Sequence, residues 1–172
     1  MNTQSPPQFT ATATTVCRPA LRRRLPLGFV FATLFAGLVP AWDVPGALDP
    51  GFGTGGKVTT DFGSSGDYGR SVAVQSDGKI IVAGYSYNGS DYDFALVRYT
   101  TAGALVPGFG TGGRVTTDFG YSQDYGYSVV VQSDGKIIVA GHSGDFGGSD
   151  FALVRYTAAG ALDPSFGTGG KR

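Results

Sequence analysis

Oxygen-bearing and aromatic side chains gather in two glycine-rich stretches of this chain. Asn88, Asp91 and Asp93 lie in the first, Asp145 and Asp150 in the second. Carboxylate and amide oxygens on loops are the ligands calcium takes. Asp and Asn in such loops also close Asx turns. Turn closure is the stronger reading, because the two stretches differ at six consecutive positions, 87–92 against 144–149. No cofactor is expected; calcium, held by Asp91, Asp93, Asp145 or Asp150, is the single candidate. Tyr85, Tyr87, Asn88, Tyr92, His142, Asp145 and Phe146 are the candidates for contact with a ligand. A variable loop on a repeated scaffold is where recognition is placed.

Two further patterns suggest chemistry and fail on context. Residues 51–56 read Gly-Phe-Gly-Thr-Gly-Gly, the spacing of a dinucleotide fingerprint, and Lys57 extends it toward a phosphate-binding loop. Such loops need a strand before and a helix after, with the helix amides aimed at phosphate. A Pro-containing turn comes before this one, and the strand-like Val58-Thr59-Thr60 comes after. His142 precedes Ser143, but no nucleophile elbow is present and no acid is spaced to orient the imidazole. No catalytic residue is assigned. Tyr68, Tyr125 and Tyr127 would suit a sugar-binding face, although tyrosines in strand-rich repeats mostly pack.

These residues are carried by a repeat. Residues 46–102 and 103–159 follow one another without a gap and agree at 43 of 57 aligned positions, and a third copy begins at Gly160. A fixed period of this kind marks solenoids, propellers and arrays. Each copy holds four strand-like runs, at 57–61, 71–75, 79–84 and 93–99 in the first. They are rich in β-branched and aromatic residues and separated by Gly, Asp, Ser and Asn. Ser76-Asp77-Gly78 and Ser133-Asp134-Gly135 predict hairpins with a primed turn between the second and third runs. The chain has 29 Gly and no Glu, which argues against helices. The expected fold is all-β, with β-propeller-like four-stranded blades; a β-solenoid is the chief alternative.

The first 41 residues differ in kind. A basic cluster, Arg22-Arg23-Arg24, precedes an apolar run at 27–39 and the small residues Val39 and Ala41. Thirteen apolar residues are too few to cross a membrane, which takes about 20, so residues 1–41 are read as a secretory signal peptide and 42–45 as a short linker. Cys17, the sole cysteine, would leave with the leader. From Trp42 onward nine basic residues face thirteen Asp, a charge near −4 that offers a nucleic acid no basic stripe.

The runs 46–53, 71–84 and 93–99 together resemble the delta-60 repeat family. The resemblance covers 46–172 and departs from the usual pattern at Val106, where the other copies have Asp49 and Asp163. It implies a bacterial, exported, propeller-like repeat protein and supplies no catalytic residues. The repeat units are 46–102, 103–159 and a truncated 160–172. A propeller takes roughly four to eight blades to close, so the expectation is either a piece of a longer array or several chains completing one ring. The expected role is non-enzymatic binding, adhesion or scaffolding, in a secreted, periplasmic or cell-surface protein. A propeller-type hydrolase or lyase acting on extracellular polymers is the alternative. The partner would be an extracellular glycan or protein and no nucleic acid, with membrane contact only through an uncleaved leader.

Overall fold

The computed structural model describes residues 45–63 and 66–172, so the expected leader, most of the linker and Cys17 lie outside the described residues. Seven strands and no helix are found among them: β1 (Asp67–Val74), β2 (Ile80–Tyr87), β3 (Tyr92–Tyr99), β4 (Arg114–Thr117), β5 (Gln123–Val131), β6 (Ile137–Asp145) and β7 (Gly148–Tyr156). The first three pair antiparallel in chain order, as do the last three. A single parallel bridge, Tyr92 to Gln123, joins the two groups. The fold is all-β, with four-stranded propeller-like blades.

Each blade takes its fourth strand from the following repeat. β4, the first strand-like run of the second copy, pairs with β3, placing Val115 opposite Leu96. One repeat later, Leu153 and Arg172 exchange two backbone hydrogen bonds of 2.8 Å in the same place. The sheets therefore run 67–117 and 123–172, out of phase with the repeats read along the sequence. The offset also corrects the strand expected at 57–61. Although Lys57-Val58-Thr59-Thr60 nearly repeats Arg114–Thr117, it forms only isolated bridges from Lys57 to Gly53 and Thr54. Among the described residues, no β3-like strand precedes it to supply a ladder.

The hairpins expected at Ser76-Asp77-Gly78 and Ser133-Asp134-Gly135 are present, but the turn differs from the primed one. Among the described residues no non-glycine residue has positive φ, whereas Gly78 lies at 79° and Gly135 at 82°. Gly78 N–H donates to Gln75 O at 2.9 Å, and Gln75 N–H donates to Lys79 O at 2.8 Å. This is a three-residue loop: a type I turn followed by a left-handed glycine and a bulge. Within the loop the Asp77 carboxylate accepts the Lys79 N–H at 3.1 Å.

The core lies between the blades. Ile81, Ala83, Phe94 and Leu96 of the first blade, all fully buried, belong to one cluster with Ile137, Val139, Ala152, Val154 and Tyr156 of the second. Close approach depends on glycines facing the neighbouring blade. A Cβ on Gly141 would stand 2.8 Å from the tip of Phe94, and one on Gly126 would meet Gly84 O at 2.6 Å. A buried hydrogen bond of 2.7 Å links Thr117 on β4 to Tyr156 on β7.

Candidate functional site

One end of the sheets collects most of what distinguishes the copies. The start of β1, the end of β2 and the start of β3 lie side by side there, as do their counterparts in β5, β6 and β7. The copies differ at 14 of 57 positions, counted from SEQ alignment of 46–102 with 103–159. Nine of those differences, at 66, 70, 85 and 87–92 in the first copy, fall at this end or in the connector leading to it.

The hairpins at this end have equal length and different tips. In the first, Tyr87 pairs with Tyr92 around a four-residue loop. Asn88 organises it by accepting the Ser90 and Asp91 N–H groups at 2.9 and 3.1 Å and donating to the Asp91 carboxylate. In the second, pairing continues to Asp145 opposite Gly148, leaving Phe146 and Gly147 as the tip. Gly148, with φ of 153°, allows that tighter reversal, and Phe146 is 93% exposed. Gly144 and Gly148, standing where the first copy has Tyr87 and Asp91, make the difference.

Beside the hairpins lies a tyrosine patch that bridges the blades. Tyr85 packs against Tyr68 at 5.0 Å, Tyr92 at 5.5 Å and Tyr125 at 4.5 Å between ring centres. His142 sits 5.1 Å from Tyr125 and 5.4 Å from Tyr127. The Arg70 guanidinium lies over the Tyr85 ring and donates to its hydroxyl, an interaction that raises the Arg70 pKa. Tyr68 and Tyr127 remain 44% exposed, so the patch has a buried base and an open rim. Desolvation pushes the phenols of Tyr92 and Tyr125 up, keeping them neutral. A cavity of about 210 Å3 opens beside the first hairpin, lined by Ser86, Tyr87, Asn88, Asp93 and Thr116 among others.

The carboxylates group differently from the sequence expectation. Asp91 is engaged by Asn88, Asp145 accepts the Ser122 N–H and hydroxyl at 3.0 Å, and Asp150 is exposed. Asp93 instead joins Asp118 and Asp124, with one oxygen of each within 4.8 Å of the others. Asp93 and Asp124 are buried, at 6% and 0% exposure. Asn88 donates to Asp93 at 3.0 Å, and the Phe119 N–H donates to Asp124 at 2.6 Å. Burial pushes both carboxyl groups up; their negative neighbours add to it, while Asn88 and Lys171 oppose it at Asp93. Such a trio can share a proton or hold a hard cation. Asp118 and Asp124 were legible only as repeats of Asp61 and Asp67, which does not show that they converge on the preceding repeat's Asp93.

The stacked four-stranded sheets, with loops gathered at one end, define a propeller-type repeat protein. Residues 75–109 and 132–166 each match a family model described as a domain of unknown function (DUF5122) beta-propeller, one match in each repeat. Neither the curated proteins nor the solved structures give a match to the chain.

Proposed function

We propose that this is an exported bacterial repeat protein of the delta-60 kind, acting as a non-enzymatic binding or scaffolding module at or outside the cell surface. The observation that carries the reading is the gathering of nine of fourteen inter-repeat differences at the tyrosine-bearing end. Strands and turns are held constant while one surface varies, which is how a scaffold presents recognition loops. Exposed Tyr68 and Tyr127 offer flat apolar rings with hydroxyl edges, suited to sugar rings of an extracellular glycan or to a protein partner. The propeller-type hydrolase or lyase is the less favoured reading. Its best acid–base pair, Asp93 and Asp124, is buried away from any polymer, at 6% and 0% exposure.

The test is to exchange 85–92 for 142–149 and the reverse, then compare parent and variants on a panel of immobilised soluble polysaccharides and peptidoglycan. A changed binding profile with an unchanged unfolding temperature is expected. An identical profile in both exchange variants would overturn the placement of the site.

A further inference from the structure

The acidic trio sits where two blades and their connector meet. Asp93 belongs to β3, Asp118 follows β4, and Asp124 belongs to β5. Each carboxylate has one oxygen fixed by an N–H group: Asp93 Oδ2 by Asn88, Asp118 Oδ1 by Gly120 and Asp124 Oδ2 by Phe119. The other oxygens of Asp93 and Asp124 are buried and have no hydrogen-bond partner among the described residues. Lys171, a cation that acts on Asp93, donates to the Asp118 carbonyl, and among the described residues no ion pair reaches any of the three carboxylates.

Ser143 adds an oxygen that is not acidic. It stands opposite Asp124 in the β5–β6 ladder, so the two side chains share a face with their Cβ atoms about 5 Å apart. The residue is 8% exposed, and its Oγ is buried without a hydrogen bond. It is near enough to Asp124 to oppose the push of burial on that carboxyl, so the hydroxyl faces the trio without closing a bond on it. One repeat earlier the same pair is closed. Ser86 donates to Asp67 Oδ1 at 2.6 Å, while Asp67 Oδ2 accepts the Phe62 N–H at 2.9 Å as Asp124 Oδ2 accepts that of Phe119. At the blade junction the bond is not made, and three buried oxygens, Asp93 Oδ1, Asp124 Oδ1 and Ser143 Oγ, remain to be satisfied.

We propose that the blade junction holds a calcium ion, bound by the Asp93, Asp118 and Asp124 carboxylates and the Ser143 hydroxyl. Two oxygens on one calcium, each roughly 2.3–2.6 Å from it, can be at most about 5 Å apart. One oxygen of each Asp lies within 4.8 Å of the others. A divalent cation also supplies the countercharge that buried carboxylates need. Asp118 is exposed, which gives the ion a way in and lets water complete its shell. The ion ties both variable hairpins to the junction, because Asn88 holds Asp93 and Asp145 holds Ser122 in the connector between Asp118 and Asp124. The inference does not depend on the ligand reading above.

Calorimetric titration of the chelator-treated full chain with calcium chloride at pH 7, together with thermal unfolding, tests it. Calcium should bind with a dissociation constant under about 1 mM, and at about 10 mM it should raise the unfolding temperature by at least about 3 °C. Asp118→Asn, at an exposed position, should weaken binding at least about tenfold, as should Asp124→Asn. Ser143→Ala should weaken binding without lowering the unfolding temperature in chelator, since no hydrogen bond is lost. Asp134→Asn, in the hairpin at the far end of β5, should leave binding unchanged. A parent chain that gives no heat of binding, an equal rise in unfolding temperature with sodium chloride of matched ionic strength, or equal effects of Asp118→Asn and Asp134→Asn would overturn the proposal. If Asp124→Asn fails to fold, Asp118→Asn against Asp134→Asn still decides it.

Discussion

The ring of Phe94 lies over Gly141, its tip 2.8 Å from where a Cβ on that glycine would stand. The absent side chain is the seat of the aromatic, and the two residues key the blades together. Because Phe151 occupies the same repeat position and is 99% exposed, the pair allows a controlled comparison. Phe94→Ala should cost about 3–5 kcal/mol, while Phe151→Ala should change stability by under about 0.5 kcal/mol. Urea unfolding of both variants checks this.

Val106 interrupts a polar network that the other copy keeps. One repeat later, Asp163 accepts from Ser165 Oγ at 2.7 Å and from Arg155 Nε at 2.8 Å, with Lys136 Nζ 3.2 Å away, and together they hold its carboxyl well below the usual range. Arg98, the counterpart of Arg155, has a buried Nε without a partner and is pushed down by desolvation. Val106→Asp should supply the missing acceptor. Removing a buried unsatisfied donor is worth about 1–3 kcal/mol and burying the new carboxylate offsets part of it, so thermal unfolding should shift upward by the equivalent of about 1 kcal/mol.

The acidic trio predicts an unusual pH response. Asp93 and Asp124 have folded pKa values above their unfolded ones, so the native state binds more protons and these groups penalise it when ionised. Their penalty grows as pH rises from the ordinary carboxylate range, about 4, through the raised values, and is complete above them. Asp163 works the other way, its stabilisation being lost only as pH falls through its lowered value. Stability should therefore increase as pH is brought down from 7 toward about 5. Asp93→Asn, which can still accept from Asn88, should flatten that slope. If the trio holds calcium instead, calcium chloride at pH 7 will abolish the slope in the parent chain and not in the variant.

The hairpin glycines should respond unequally to one substitution. Gly78 and Gly135 share left-handed backbone, but a Cβ on Gly78 would stand 2.7 Å from Thr101 Cγ2, and one on Gly135 only 3.4 Å from Ala158 Cβ. Gly135→Ala should cost about 1 kcal/mol for backbone strain. Gly78→Ala should cost more, and Thr101→Ala in the same chain should bring the two into line. Denaturant midpoints of the four proteins decide it.

Sheet content and hairpin positions were legible because strand propensity and Asp-Gly turns act over a few residues. The turn type was missed because Asp-Gly also serves a three-residue loop, and only the Ser76 position within that loop distinguishes them. The partner of Arg114–Thr117 was not legible, since a periodic text carries no mark of where a sheet begins. Tyr85, Tyr92 and His142 were found from their variation between copies. Asp118 and Asp124 were not, because constancy within a repeat looks the same whether a residue closes a turn or meets Asp93 across a blade junction.

The loan of β4 to the preceding sheet makes cooperativity a property of the array rather than of the repeat. Melting one unit strips the outer strand from its neighbour, so neither can unfold silently. It also frees the gene from phasing. Copying any 57-residue stretch, wherever the cut falls, adds one complete sheet, and a lineage can lengthen or shorten such a protein without finding a domain boundary.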